Sequence, residues 1–139
     1  MRVVLDVNVW ISGLLWRGVP GLILDLAENG QITIFASDVL FTELETTLRR
    51  AKFQPKIQSL KTTVEDLLSV AYQLSESCPT TLVDFPLLRD RDDAIILAAA
   101  EAIQAEAIIT GDLDLLTLKQ FKAIPILTPT DFLSRYFSI

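Results

Sequence analysis

Residues 94–115 read AIILAAAEAIQAEAIITGDLDL, and this stretch decides the fold. It opens behind Asp92 and Asp93 with a run that is apolar nearly all round, which predicts a helix buried on every side. Ala107 to Thr110 (AIIT) predicts a short buried strand, and Gly111-Asp112 ends it on a turn that carries an acid. A buried helix feeding a buried strand is half of an α/β unit, and the rest of the chain repeats that alternation. Arg2 to Val7 (RVVLDV) has the β-branched composition of a buried parallel strand. Gly18 and Pro20 open a helical stretch, GLILDLAENG, which stops at Asn29-Gly30. Ile32 to Ala36 reads as a second strand. Ser37 or Asp38 then caps a helix through Phe41, Leu44 and Leu48, which ends in the basic cluster Arg49, Arg50 and Lys52. Pro55 breaks that helix, and an amphipathic one follows from about Leu60 to Leu74. Thr80 to Val83 is a third, weaker strand, Ile124 to Leu127 a fifth, and Thr128 to Phe137 a closing helix. The class is therefore α/β, with a mainly parallel sheet covered on both faces. No linker or repeat divides the chain, so residues 1–139 are expected to form one domain.

Composition excludes several chemistries. The 139 residues include no His and one Cys, so a Ser-His-Asp triad, a Cys-His pair and a His-built zinc site are impossible. A single Cys without a disulfide partner is what the reducing cytoplasm expects. Half of the residues are hydrophobic and 22% are charged, which excludes a disordered chain. The longest apolar runs are interrupted within about ten residues, short of the roughly 20 that span a bilayer, so no membrane partner is expected. A signal peptide is not read at the N-terminus either, because Asp6 and Asn8 interrupt the apolar stretch. The net charge of −6 is unlike that of a phosphate-coating domain.

The acids gather at predicted strand ends, where open α/β sheets place their sites. Asp6 closes the first strand, and Asn8 points the same way if the chain stays extended. Asp112 follows the fourth strand and Asp114 comes two residues later. Asp92 and Asp93 open the buried helix, and Glu43 and Glu45 lie early in the helix after the second strand. Taken singly, most of these have an ordinary reading as caps or solvated charge. Asp6 does not, because a carboxylate inside VVLDVNV interrupts a strand that is otherwise apolar. If the topology brings the ends of the first and fourth strands together, Asp6, Asp93 and Asp112 face one cleft, with Glu43 approaching from its helix. Two unit charges 4 Å apart repel by about 4 kcal/mol at an effective dielectric of 20, so such a cluster calls for neutralisation. Without His, the donors suit oxygen-loving Mg²⁺ or Mn²⁺, whose common employment is phosphoryl chemistry.

Three segments carry a resemblance: VVLDVNVWISGLLWRG, ASDVLFTELETTLRRAKF and RDRDDAIILAAAEAIQAEAIITGDLDLL. In this order they resemble the PIN-domain proteins, and within them the VapC-type toxins of toxin–antitoxin pairs. The resemblance implies a three-layer α/β/α sandwich with a five-stranded mainly parallel sheet. It also implies a metal-dependent endoribonuclease; hydrolysis by water, rather than by the RNA 2′-OH, leaves a 5′-phosphate. The family's acids fall on Asp6, Glu43, Asp93 and Asp112, with Asp6, Asp93 and Asp112 as the metal set. Asp92 competes with Asp93, which is preferred because the family's acid directly precedes the apolar helix. Asn8, Ser12, Thr110 and Asp114 fall on auxiliary polar positions. A cognate antitoxin protein and a homodimer are the implied partners.

Arg17, Arg89 and Arg91 are candidate RNA contacts near the cleft mouth, whereas Arg49, Arg50 and Lys52, which could also meet phosphates, read first as a cationic helix end. Trp10 and Trp16 are core or interface residues before they are base-stacking platforms, with a dimer contact near Trp16. Two relatives of the leading reading stay open: a PIN nuclease of RNA processing without an antitoxin, and a non-catalytic PIN-like module that binds metal or a partner. A receiver domain fits poorly, because Lys119 lies too deep in a helical stretch to serve as its lysine.

Overall fold

The computed structural model describes residues 1–79 and 91–138. Strand β1 (Arg2–Leu5) runs through the centre, and its Val3, Val4 and Leu5 are fully buried. The strand stops at Leu5, two residues before its apolar pattern does. Asp6 turns the chain there: its carboxylate accepts the Val9 N–H at 3.1 Å and caps helix α1 (Val7–Leu15). The extended alternation expected from Asp6 to Asn8 is therefore replaced by the first turn of a helix. Arg17 (φ 61°) and Gly18 (φ 52°) then reverse the chain into α2 (Gly18–Glu28), which meets α1 at 93°. Gly13 lets the two helices approach, since a Cβ there would lie 2.8 Å from Leu24 Cδ1.

Strand β2 (Thr33–Ala36) precedes α3 (Asp38–Leu48), whose cap is Ser37 Oγ accepting the Leu40 N–H at 3.2 Å. A 3₁₀ turn (Ala51–Phe53) leads into α4 (Gln54–Ser59), where Pro55 occupies the first turn, a position that has no use for the missing N–H. Helix α5 (Val64–Gln73) and strand β3 (Ser75–Ser77) follow. The strand expected over Thr80 to Val83 lies outside the described residues. Helix α6 (Arg91–Ala102) and strand β4 (Ala107–Ile109) realise the stretch that decided the fold; Ile96 to Ala100 are buried without a break, as an all-round apolar helix requires. Helix α7 (Leu113–Leu118), strands β5 (Gln120–Phe121) and β6 (Ile124–Leu127), and α8 (Pro129–Tyr136) complete the chain.

The sheet has the order β3-β2-β1-β4-β6-β5, parallel except for β5, so the described residues form six strands, of which β3 and the two-residue β5 were not expected. Strand β5 exists because Lys122 (φ 47°) and Ala123 (φ 68°) both adopt left-handed backbone and close a tight hairpin onto β6. Topology matters most at the centre. β1 pairs with β2 on one side and β4 on the other, with Leu5 opposite Ile109. The strand order runs outward from β1 through β2 to β3 and then resumes on the other side with β4, which makes the carboxyl ends of β1 and β4 the switch point of the sheet. Asp6 and Thr110 leave the sheet side by side at that point. Among the described residues, no single helix is long and apolar enough to cross a membrane.

Candidate metal centre

Asp6 is 7% exposed, and the ladder fixes its backbone through an N–H donated to the Ile109 carbonyl at 3.1 Å. Its two carboxylate oxygens take separate donors. Oδ1 accepts the Val9 N–H, and Oδ2 accepts the hydroxyl of Thr110, which is fully buried. Thr110 is held in turn by β6, donating its N–H to the Leu127 carbonyl at 2.9 Å. The Thr110 hydroxyl oxygen accepts the Asp112 N–H at 2.9 Å, and Asp112 Oδ1 accepts the Asp114 N–H at 2.8 Å, capping α7. One run of hydrogen bonds thus passes from the end of β1 to the start of α7.

Helix α6 brings Asp93 to the same place, buried at 5% exposure. One carboxylate oxygen each from Asp93, Asp112 and Asp114 lie within 4.8 Å of one another. Asp6, Asn8, Glu43, Asp93 and Asp112 share the lining of one cavity of about 140 Å³. Glu43 reaches it half-buried from α3, and Asn8 from the exposed side of the first turn of α1. Burial raises the Asp6 carboxyl above its ordinary value, and the charge of Asp112 adds to the rise; the Thr110 hydroxyl and the N–H groups of Val9 and Asn8 work against it.

The donor set fits a hard divalent cation. Every anionic group is a carboxylate, and three oxygens already converge from two elements. At 4.8 Å and an effective dielectric of 20, each fully ionised pair repels by about 3 kcal/mol, somewhat less for the exposed Asp114. Mutual repulsion of this size is relieved by an ion between the oxygens. The remaining valences permit it: a carboxylate oxygen that accepts one hydrogen bond keeps a lone pair for a metal.

Not every residue singled out in the sequence reaches the cavity. Ser12 sits midway along α1 and does not line it. Arg17 lies at the α1–α2 corner, where its guanidinium pairs with Asp25 at 2.6 Å. Arg89 lies outside the described residues, as do the side chains of Arg91 and Asp92 at the start of α6. Asp114, expected only as an auxiliary group, stands inside the cluster. Arg50, read in the sequence as part of a cationic helix end, lines the cavity with Thr47. Its signal was the spacing Glu43, Thr47, Arg50, which continues one helical face by steps of four and three.

A family model described as the PIN domain matches residues 2–114. Among solved structures, a chain of VapBC2 from Rickettsia felis, crystallised bound to a DNA fragment from their promoter, superposes with a TM-score of 0.61. The identity is 15%, and the match covers 91% of this chain and 97% of that one, so the likeness is one of fold. No curated protein matches the chain.

Proposed function

This chain belongs to the PIN-domain family, and from that premise we propose that its acidic cleft is the active site of a Mg²⁺- or Mn²⁺-dependent endoribonuclease, the toxin of a toxin–antitoxin pair. One observation carries the reading: carboxylate oxygens of Asp93, Asp112 and Asp114 converge within 4.8 Å beside the buried Asp6. We assign Asp6, Asp93, Asp112 and Asp114 to the ion, with Glu43 facing them across the cavity. The bound ion supplies Lewis acidity, lowering the pKa of water and offsetting charge on the phosphate.

The chain's own groups supply the rest. Thr110 orients Asp6 by donating to Oδ2, and fixes Asp112 by accepting its N–H. Asp112 in turn sets the first turn of α7 and with it the position of Asp114. Asn8, exposed at the rim, offers an amide to the substrate. The toxin assignment draws on the sequence resemblance and on the fold shared with the VapBC2 chain. It brings an antitoxin partner and a homodimer with it as proposals.

The test is cleavage of single-stranded RNA by purified protein in Mg²⁺ or Mn²⁺, with EDTA and Asp112→Asn as controls. Expected are 5′-phosphate products that both controls abolish. Products that persist in EDTA and in Asp112→Asn would overturn the assignment. Growth arrest on expression, relieved by Asp112→Asn, together with a short adjacent open reading frame whose co-expression restores growth, would separate a toxin from a processing nuclease.

A further inference from the structure

The cleft has one cation among its described lining residues, Arg50. Arg49 and Arg50 are adjacent in sequence and differ completely in use. The Arg49 guanidinium is engaged by two carboxylates, Glu45 at 3.1 Å and Glu65 at 2.8 Å. The Arg50 side chain makes no hydrogen bond or ion pair with any described residue. Its backbone is anchored all the same: the Arg50 carbonyl accepts the Phe53 N–H at 3.1 Å and Gln54 Nε2 at 3.4 Å. Gln54 Nε2 also donates to the Leu48 carbonyl at 2.9 Å, tying the end of α3 to the following turn. The result is an exposed guanidinium on an anchored backbone, at the wall of a cavity whose other charged lining residues among those described are all acids.

A cleft of carboxylates repels a polyanion wherever the metal does not neutralise it. A substrate with several phosphates needs a second point of attachment, and a guanidinium paired with no carboxylate among the described residues supplies one with two parallel donors. We propose that Arg50 is the phosphate-binding residue of the cleft, holding an RNA phosphate that neighbours the one placed at the acids. The proposal rests on the nuclease reading for the identity of the polyanion; the position of Arg50 at the cavity wall does not depend on it.

The experiment compares wild type, Arg50→Gln, Arg50→Lys and Arg49→Gln. Each is titrated into a labelled single-stranded RNA made uncleavable by phosphorothioates, in Mg²⁺ over a salt series. Cleavage of ordinary RNA and calorimetric Mg²⁺ binding are measured on the same samples. Arg50→Gln is expected to weaken RNA binding about tenfold or more and to raise KM with little change in kcat. It should lower the slope of log affinity against log salt by about 0.7, the loss of one single-strand phosphate contact. Arg50→Lys should recover part of the affinity, because a point charge replaces a fork. Arg49→Gln should bind RNA as wild type does, and all variants should keep Mg²⁺ binding. Equal RNA affinity and equal salt slope for Arg50→Gln and Arg49→Gln would overturn the inference. If wild type binds RNA through Arg50 but cleaves none, the nuclease reading fails and the Arg50 assignment stands.

Discussion

Thr110 and Asp6 meet through a single hydroxyl, and the site's geometry depends on that contact. The hydroxyl donates to Asp6 and accepts from the Asp112 N–H, so one side chain indexes two acids from different strands. Thr110→Val keeps the volume and removes both bonds. It should lower metal affinity and RNA cleavage by roughly 10- to 100-fold, the usual cost of losing a group that orients a ligand. Thr110→Ser should recover most of the loss in both calorimetry and cleavage assays; a silent Thr110→Val would show that the acids are positioned without it. Asp6 gives a second prediction. Its carboxyl titrates above its ordinary value in the fold because burial disfavours the charge. The folded chain therefore binds its proton more tightly than the unfolded chain does. Stability from this group is full below the unfolded value of about 4 and is lost as pH rises through the folded value. In EDTA, wild type should lose stability across that window, and Asp6→Asn should not. At neutral pH Asp6→Asn should melt at a higher temperature than wild type yet cleave no RNA, and added Mg²⁺ should stabilise wild type alone. Thermal melts of both proteins from pH 4 to 8 read this directly, and parallel curves would exclude the burial penalty.

At the scale of elements, local chemistry that the sequence hid decides several boundaries. α1 was unreadable because VNVWISGLL is rich in β-branched and aromatic residues, and its N-cap, Asp6, sits inside what looks like a strand. The pattern gave no reason to bend until the carboxylate was seen to capture the Val9 N–H. The β5–β6 hairpin was hidden for a related reason: its turn is Lys122-Ala123, without the Asn-Gly signature that left-handed backbone usually carries. β3, reading Ser-Glu-Ser, owes its strand conformation to pairing with β2 rather than to propensity. The α6–β4 unit was legible because continuous burial needs continuous apolarity, and Ala-rich helices show it plainly. Strand ends were legible too, so Asp6 and Asp112 were expected to share a cleft on the condition that their strands pair, which β1 and β4 do. Asp114, an auxiliary acid by the resemblance, comes to the cluster because Asp112 caps α7 and accepts its N–H. Packing between elements gives a further prediction. Gly13 sits where α1 and α2 cross, and a Cβ there would come within 2.8 Å of Leu24 Cδ1 and 3.2 Å of the Pro20 carbonyl. Leu24 is 2% exposed and has nowhere to retreat. Gly13→Ala should therefore destabilise by about 1–3 kcal/mol despite its better helix propensity, measured by urea unfolding. A gain in stability would mean that the α1–α2 corner opens freely.

For the whole molecule, the balance of −6 describes an acidic protein whose cleft acids are proposed to work with a cation bound. The bulk charge then opposes RNA, and attachment must come from the ion and from local groups such as Arg50 rather than from a basic surface. Association of copies is a separate matter of apolar exposure. Trp16 is 53% exposed at the end of α1, where its ring meets Phe53 edge-on with centroids 6.1 Å apart and Lys56 Nζ 5.7 Å from its centroid. Val19 and Leu22, three residues apart on α2, are also exposed. Large exposed aromatic groups braced from one side are what interfaces use as anchors, because little rotamer freedom remains to be lost on binding. The proposed homodimer is placed here. Trp16→Glu removes the anchor and sets an acid against its own copy across a two-fold axis, where equivalent residues approach one another. Light scattering should give wild type a mass of about twice the 15.5 kDa chain, and Trp16→Glu the mass of one chain. The melting temperature of wild type should rise with protein concentration and that of the variant should not. Since Trp16 faces solvent in the single chain, the variant should keep its fold. A wild type that stays monomeric at about 100 μM, or a Trp16→Glu that remains dimeric, would remove this face from the interface.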